Sequence, residues 1–333
     1  MSWARVRGQD AARDTFFAAV AAGRLAHAYL LVGPEGVGKR LFARELAKAF
    51  LCEQPTAELH ACDRCPACAQ VEAGTHPDVL FLRTPKDKHE LPVDEMRGFC
   101  AQMALKPTRG SRKIGIVEDA DDFNASSANS FLKTLEEPPG GSLLLLIGTS
   151  TDRQLQTILS RCQIVRFHSL SHGDIESILA GQGVEDASKR ARLARLSGGS
   201  VSRALAVDDD SIWQVRETLV DGLASGRPQF RALAETWADF LEKAGKETSA
   251  QRLRASLVLQ FLIEAVQQAL KLSLGVDLPE LGAQEAERLR ALAARVGTQG
   301  LMELLDELVE ADFYVERRVQ LILIVEAVLA KFP

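Results

Sequence analysis

Between Gly33 and Arg40 the chain runs Gly-Pro-Glu-Gly-Val-Gly-Lys-Arg. A phosphate-binding loop sets two glycines with four residues between them, then lysine, then serine or threonine. Gly33, Gly38 and Lys39 keep that spacing around Gly36, and Arg40 stands where the hydroxyl belongs. Backbone N–H groups of such a turn, and of the helix it opens, face a polyphosphate while the lysine adds charge. The missing hydroxyl ordinarily holds the magnesium that bridges the terminal phosphates. Arginine has donors only and is positively charged, so it cannot coordinate a cation. Metal binding is lost more surely than phosphate binding. The plain alternative is a glycine-rich turn with no ligand.

A second pair of residues bears on the same chemistry. A nucleotide hydrolase ends its third strand with Asp then Glu, the first on magnesium and the second on water. Here Glu118 precedes Asp119, the reverse order. Each carboxylate is displaced by about one methylene, and misplacements of this size are costly to catalysis. Two solvated acids at a strand end are the other possibility.

The cysteines carry the most specific signal. Cys62, Cys65 and Cys68 follow one another at two-residue gaps, and Cys52 lies upstream. Four thiolates close a tetrahedral site with no open position, as structural zinc requires. Such a site serves folding rather than catalysis. Free thiols, or a site with His60 or His76 as a ligand, are the alternatives. Cys100 and Cys162 stand apart, and Cys162 reads as a small buried residue. Arg161 precedes the last strand of the sheet, where an arginine is most often a surface charge. Arg203 follows a glycine pair and begins a helix, an ordinary place for a solvated arginine. Lys106, Arg109, Arg112 and Lys113 form a basic run, expected as an exposed loop.

The elements that must hold these residues are legible as patterns. Ala28–Val32, Val79–Leu82, Ile114–Val117, Leu143–Ile147 and Ile164–Phe167 are continuously apolar, which suits strands buried on both faces. Helices, for example Lys39–Leu51 and Ala125–Glu137, separate them. Asn124 can cap the latter, and Pro138-Pro139 ends it. The alternation implies a parallel sheet with helices on both sides. Helices are expected over Ser171–Gln182, over Ala187–Leu196 and from about Val201, with a break at Asp208-Asp209-Asp210. Beyond it the pattern is all helical: Ile212–Ala224, Phe230–Ala244, Ala250–Leu274, Ala283–Val296, Leu301–Ala311 and Val315–Leu329. Gly226-Arg227-Pro228, Gly275 and Gly282 punctuate these.

Composition narrows the functional classes. A 333-residue chain allows two or three domains. Its 46% hydrophobic and 26% charged residues are those of a soluble globular protein. The net charge of −5, with two Tyr and three Trp, argues against gripping nucleic acid alone or stacking many bases. No apolar run or secretory signal points away from the cytoplasm.

These segments, in this order, resemble the bacterial clamp-loader branch of the AAA+ family. The resemblance rests on Arg7-Gly8-Gln9, His27-Ala28-Tyr29-Leu30, the phosphate loop and the four cysteines. It also rests on the segment from Asn129 to Pro139 (NSFLKTLEEPP), Ser160-Arg161-Cys162 and Gly199-Ser200-x-x-Arg203. It covers residues 7 to about 205. It implies an AAA+ sheet domain over 1–167 with a zinc module at about 52–68, a three-helix lid over 168–208 and a helical collar over 209–333. By the same resemblance, Arg161 is an arginine finger for the ATP site of a neighbouring subunit, Thr149 sits near the first sensor position and Arg203 matches the second sensor. The implied partners are motor subunits of the gamma and tau kind, a delta subunit, a sliding clamp and primed DNA. With Arg40 and the swapped acids, the chain is expected to be a non-hydrolysing member. An active motor subunit, or an AAA+ or STAND-type switch outside replication, are the rival expectations.

Overall fold

The apolar runs become five parallel strands: β1 (Ala28–Val32), β2 (Val79–Leu82), β3 (Lys113–Val117), β4 (Ser142–Gly148) and β5 (Gln163–Arg166). Their order in the sheet is β2-β3-β4-β1-β5. The computed structural model describes every residue except Met1, Glu58, Lys86, Asp87, His89, Ser111, Gly226, Lys246, Glu247, Pro279, Glu280, Arg317, Arg318 and Pro333. The expected punctuation at Gly226 therefore lies outside the described residues.

Because side chains alternate along a strand, each face of the sheet builds its own core. Leu143, Leu145 and Ile147 of β4 join one apolar cluster, and Leu144 and Leu146 join the other. The first cluster is completed by Phe16 of α1 (Asp10–Ala21) and by Phe42 and Leu46 of α2 (Lys39–Leu51). Between α2 and β2 lies the cysteine segment with a short helix, α3 (Pro66–Glu72). The second cluster takes Met96, Phe99 and Met103 from α4 (Val93–Met103) and Phe131 and Leu135 from α5 (Ala125–Glu136). The expected cap of α5 is present: Asn124 Oδ1 accepts from Ser127 N–H, and Ser127 Oγ accepts from Asn124 N–H. A single turn, α6 (Gln156–Leu159), leads into β5.

After β5 come α7 (His172–Gly181), α8 (Ala187–Leu196) and α9 (Val201–Val207). The chain divides into two units, Met1–Ser202 and Arg203–Pro333. The second unit is helical: α10 (Asp210–Ala224), α11 (Phe230–Glu242), α12 (Thr248–Ser273), α13 (Ala283–Glu316) and α14 (Leu321–Ala330). Asp209 caps α10 by accepting from Ser211 N–H, so the acidic run ends one helix and starts the next. The two expected helices Ala283–Val296 and Leu301–Ala311 fall within α13. Gly297, at φ 76° and ψ 161°, is the non-helical joint between them. The expected helix Val315–Leu329 is corrected. α13 runs on to Glu316, and α14 starts afresh after Gln320, whose backbone is extended. Among the described residues no helix is long and apolar enough to cross a membrane.

Candidate functional site

The glycine-rich turn joins β1 to α2, and its backbone needs glycine. Gly38, at φ 98°, caps α2 in the left-handed region, and Gly36 has φ 73°. A Cβ on Gly36 would collide with the hydroxyls of Ser200 and Ser202. Val201 N–H donates to Gly36 O at 3.0 Å, so the start of α9 is seated on the turn. Gln9 ties the turn to the segment after β5, its amide donating to Val37 O and His168 O. Gly33 N–H donates to Thr149 O at 3.1 Å, linking the turn to the end of β4.

Lys39 points back into its own loop. Its buried ammonium donates to Gly33 O and, at 2.6 Å, to Pro34 O. Burial pulls the Lys39 ammonium down to about 8, with Glu35 and Asp121 opposing and Arg40 adding to the shift. Arg40 reaches across to the end of β3. Its Nη2 donates to Asp119 Oδ1 at 2.8 Å, and its Nε lies 3.4 Å from Glu118 Oε2. Arg83 Nη2 lies 3.5 Å from the same Glu118 oxygen. Thr84 N–H donates to Asp119 Oδ2. The structure thus brings Gly33, Gly36, Gly38, Lys39, Arg40, Glu118, Asp119 and Thr149 to one end of the sheet. There a guanidinium lies against both acids.

Asp121 belongs with this group, although the sequence drew attention only to the acids before it. Its carboxylate accepts from Thr149 N–H at 2.9 Å and from the Gln154 amide. The signal for it was the acidic run Asp119–Asp122, which spacing alone could not resolve into roles.

Arg161 follows α6 at the surface of the sheet unit. Its Nε and Nη2 both donate to Glu136 Oε1, and its Nη1 donates to Thr157 O and Ser160 Oγ. Cys162 packs against the second core, and burial pushes its thiol up to about 12. Arg203 lies in the helical unit, where its Nη2 donates to Ser256 Oγ. The expected exposed basic loop is corrected at Lys113, a buried residue of β3 whose ammonium donates to Leu105 O. The loop is held from beneath by buried Asp78, which accepts from the N–H groups of Thr108, Arg109 and Gly110.

The four cysteines converge. The Sγ atoms of Cys52, Cys62, Cys65 and Cys68 all lie within 4.8 Å of one another. A tetrahedron with metal–sulfur bonds of about 2.3 Å has edges of about 3.8 Å, so small movements complete it. Backbone N–H groups of Cys62, Cys65 and Cys68 point at Cys52, Cys62 and Cys65 sulfurs respectively. Such donors suit thiolates. That of Arg64 leads in pulling Cys62 down to about 6, while burial pushes Cys68 up. Four thiolates at this separation need a cation between them, so the donor set fits a metal. His60 and His76 are not in the cluster. The module is anchored to α2 by buried Lys48, whose ammonium meets Glu45 at 2.8 Å, Asp63 at 3.1 Å and Glu72 at 3.2 Å. Sequence reading passed over this charge cluster.

A family model described as DNA polymerase III, delta subunit, matches residues 8–171. The DNA polymerase III subunit delta′ of Pseudomonas aeruginosa PAO1 is 36% identical over 217 residues, 64% of this chain and 66% of that one. The subunit delta′ of Escherichia coli K12 is 34% identical over 285 residues, 83% of this chain and 81% of that one. The chain belongs to the delta′ family. The DNA polymerase III subunit tau of E. coli K12 also aligns, at 31% identity over 219 residues, 63% of this chain but 33% of that one. In this delta′ chain Arg40, at the position of the loop's hydroxyl residue, pairs with both Glu118 and Asp119.

Proposed function

We propose that this delta′ chain is a non-hydrolysing subunit of the clamp loader of DNA polymerase III, supplying Arg161 in trans to the ATP site of a neighbouring motor subunit. The observation that carries the reading is Arg40, whose guanidinium lies against Glu118 and Asp119. A magnesium ion needs those carboxylates and a hydroxyl. Here the hydroxyl is gone, and the positive charges of Arg40 and Arg83 already lie beside the acids. Lys39, bonded to its own loop carbonyls, supports the same conclusion.

In this reading the cysteine cluster holds structural zinc, which supplies a closed tetrahedral cross-link to the segment after α2 and no reactivity. Residues 168–208 act as a lid and 209–333 as a collar within a hetero-pentamer that meets gamma or tau subunits, a delta subunit, the sliding clamp and, through the assembly, primed DNA in the cytoplasm. Thr149 and Arg203 are remnants of sensors. The work of opening the clamp comes from contacts that differ between nucleotide states of the neighbour. ATP turnover by the purified chain tests the first half of the proposal. No turnover above background is expected, and turnover abolished by Lys39→Ala would establish an active motor instead.

A further inference from the structure

Arg161 meets its own chain on both edges. Glu136 Oε1 accepts from Nε at 3.1 Å and from Nη2 at 2.5 Å, while Nη1 donates to Thr157 O at 2.8 Å and Ser160 Oγ at 2.9 Å. A guanidinium has five N–H groups, so four are engaged within the chain. The edge formed by Nε and Nη2 is one that binds a carboxylate or phosphate in bidentate fashion. Glu136 covers that edge, and a phosphate oxygen seeking it must displace the carboxylate.

Glu136 is the last residue of α5, and Glu137 follows it. Negative charge at a helix C-terminus is opposed by the helix dipole, and Arg161 offsets it. Both side chains remain open to solvent, Glu136 at 51% and Arg161 at 31%. Exchange of partners therefore requires no unfolding of the core. An exposed pair is also weak enough to be displaced by a polyphosphate.

We propose that Glu136 is a positioning residue that parks Arg161 against its own chain and competes with the neighbour's nucleotide for the guanidinium. This rests on the trans-finger reading of Arg161. It adds a threshold: the finger engages only when a nucleotide outcompetes an internal carboxylate.

The test uses the reconstituted clamp loader and its DNA-stimulated ATPase, with this subunit as wild type, Glu136→Gln or Arg161→Ala. The amide keeps the shape and loses the charge. Glu136→Gln is expected to lower the KM for ATP about two- to five-fold, the effect of removing an exposed ion pair, with kcat retained and the thermal midpoint of the subunit unchanged. A purely structural role would move the midpoint and leave KM alone. If Arg161→Ala slows turnover while Glu136→Gln leaves KM unchanged or lowers kcat, the parking role is overturned and the finger stands. If Arg161→Ala has no effect on turnover, the trans-finger reading fails and the parking role falls with it.

Discussion

Replacing Arg40 with serine supplies the hydroxyl that the phosphate-loop pattern calls for and removes the cation lying against two acids. The cost follows from the geometry. The Arg40–Asp119 contact, at 2.8 Å, involves an arginine side chain that is 58% exposed, so its loss costs about 0.5 kcal/mol. Glu118 is only 7% exposed, and stripping a fully buried acid of its partner costs about 3–5 kcal/mol. Arg83 stays beside the same oxygen at 3.5 Å and offsets most of that, leaving about 1 kcal/mol. The sum, about 1.5 kcal/mol, corresponds to a drop of about 3–6 °C in the melting transition of a unit of this size. Magnesium should then stabilise the variant alone, by about 1.4 kcal/mol at ten times its Kd. The assay is thermal melting of both proteins with and without millimolar magnesium. Equal melting temperatures, or a magnesium-induced rise in the wild type, would refute Arg40 as the resident cation.

Two further expectations concern the supports of the site. Asp78→Asn turns a buried amide N–H toward the backbone N–H groups of the 108–110 loop, and should cost about 1–3 kcal/mol in urea denaturation. Burial pushes the Asp78 carboxyl up, but the N–H groups of Thr108, Gly110 and Arg109 outweigh this and hold it below its ordinary value. Its contribution is thus complete above the unfolded pKa of about 3.9 and lost as pH falls through the lower folded value. The gap between wild type and variant should narrow below about pH 4. Elemental analysis should find about one zinc atom per chain, and its removal by a chelator, or Cys65→Ala, should lower the melting temperature. A metal-free protein that melts like the purified one would remove the structural role.

What was legible in the sequence was local. The glycine and lysine spacing, the cysteine gaps and the continuous apolar strands are properties of neighbours in the chain, and β1 and β2 begin and end where the pattern sets them. Asn124 was readable as a cap because capping acts over three residues. The partners of Arg40 were not readable, because Asp119 is 79 residues away and β4 lies between β1 and β3 in the sheet. The same holds for two partners of Lys48, Asp63 and Glu72, which reach it only when the cysteine segment folds back on α2. The pairing of Glu136 with Arg161 joins the end of one helix to the end of another, and neither segment alone signals it. In the helical unit, period marked which faces are apolar but not where the backbone turns. Apolar periodicity continues through Gln320, whereas the helix does not.

The central claim, that this chain keeps a nucleotide-site frame in order to complete a neighbour's site, is tested most directly by one rate. That rate is the DNA-stimulated ATPase of the reconstituted clamp loader with Arg161→Ala in this subunit, set against wild type. An arginine finger is worth about 10³–10⁵ in rate at the site it serves. The expected result is loss of that one site's share of turnover, with the assembly intact by gel filtration. An intact assembly that hydrolyses ATP at the wild-type rate would contradict the account.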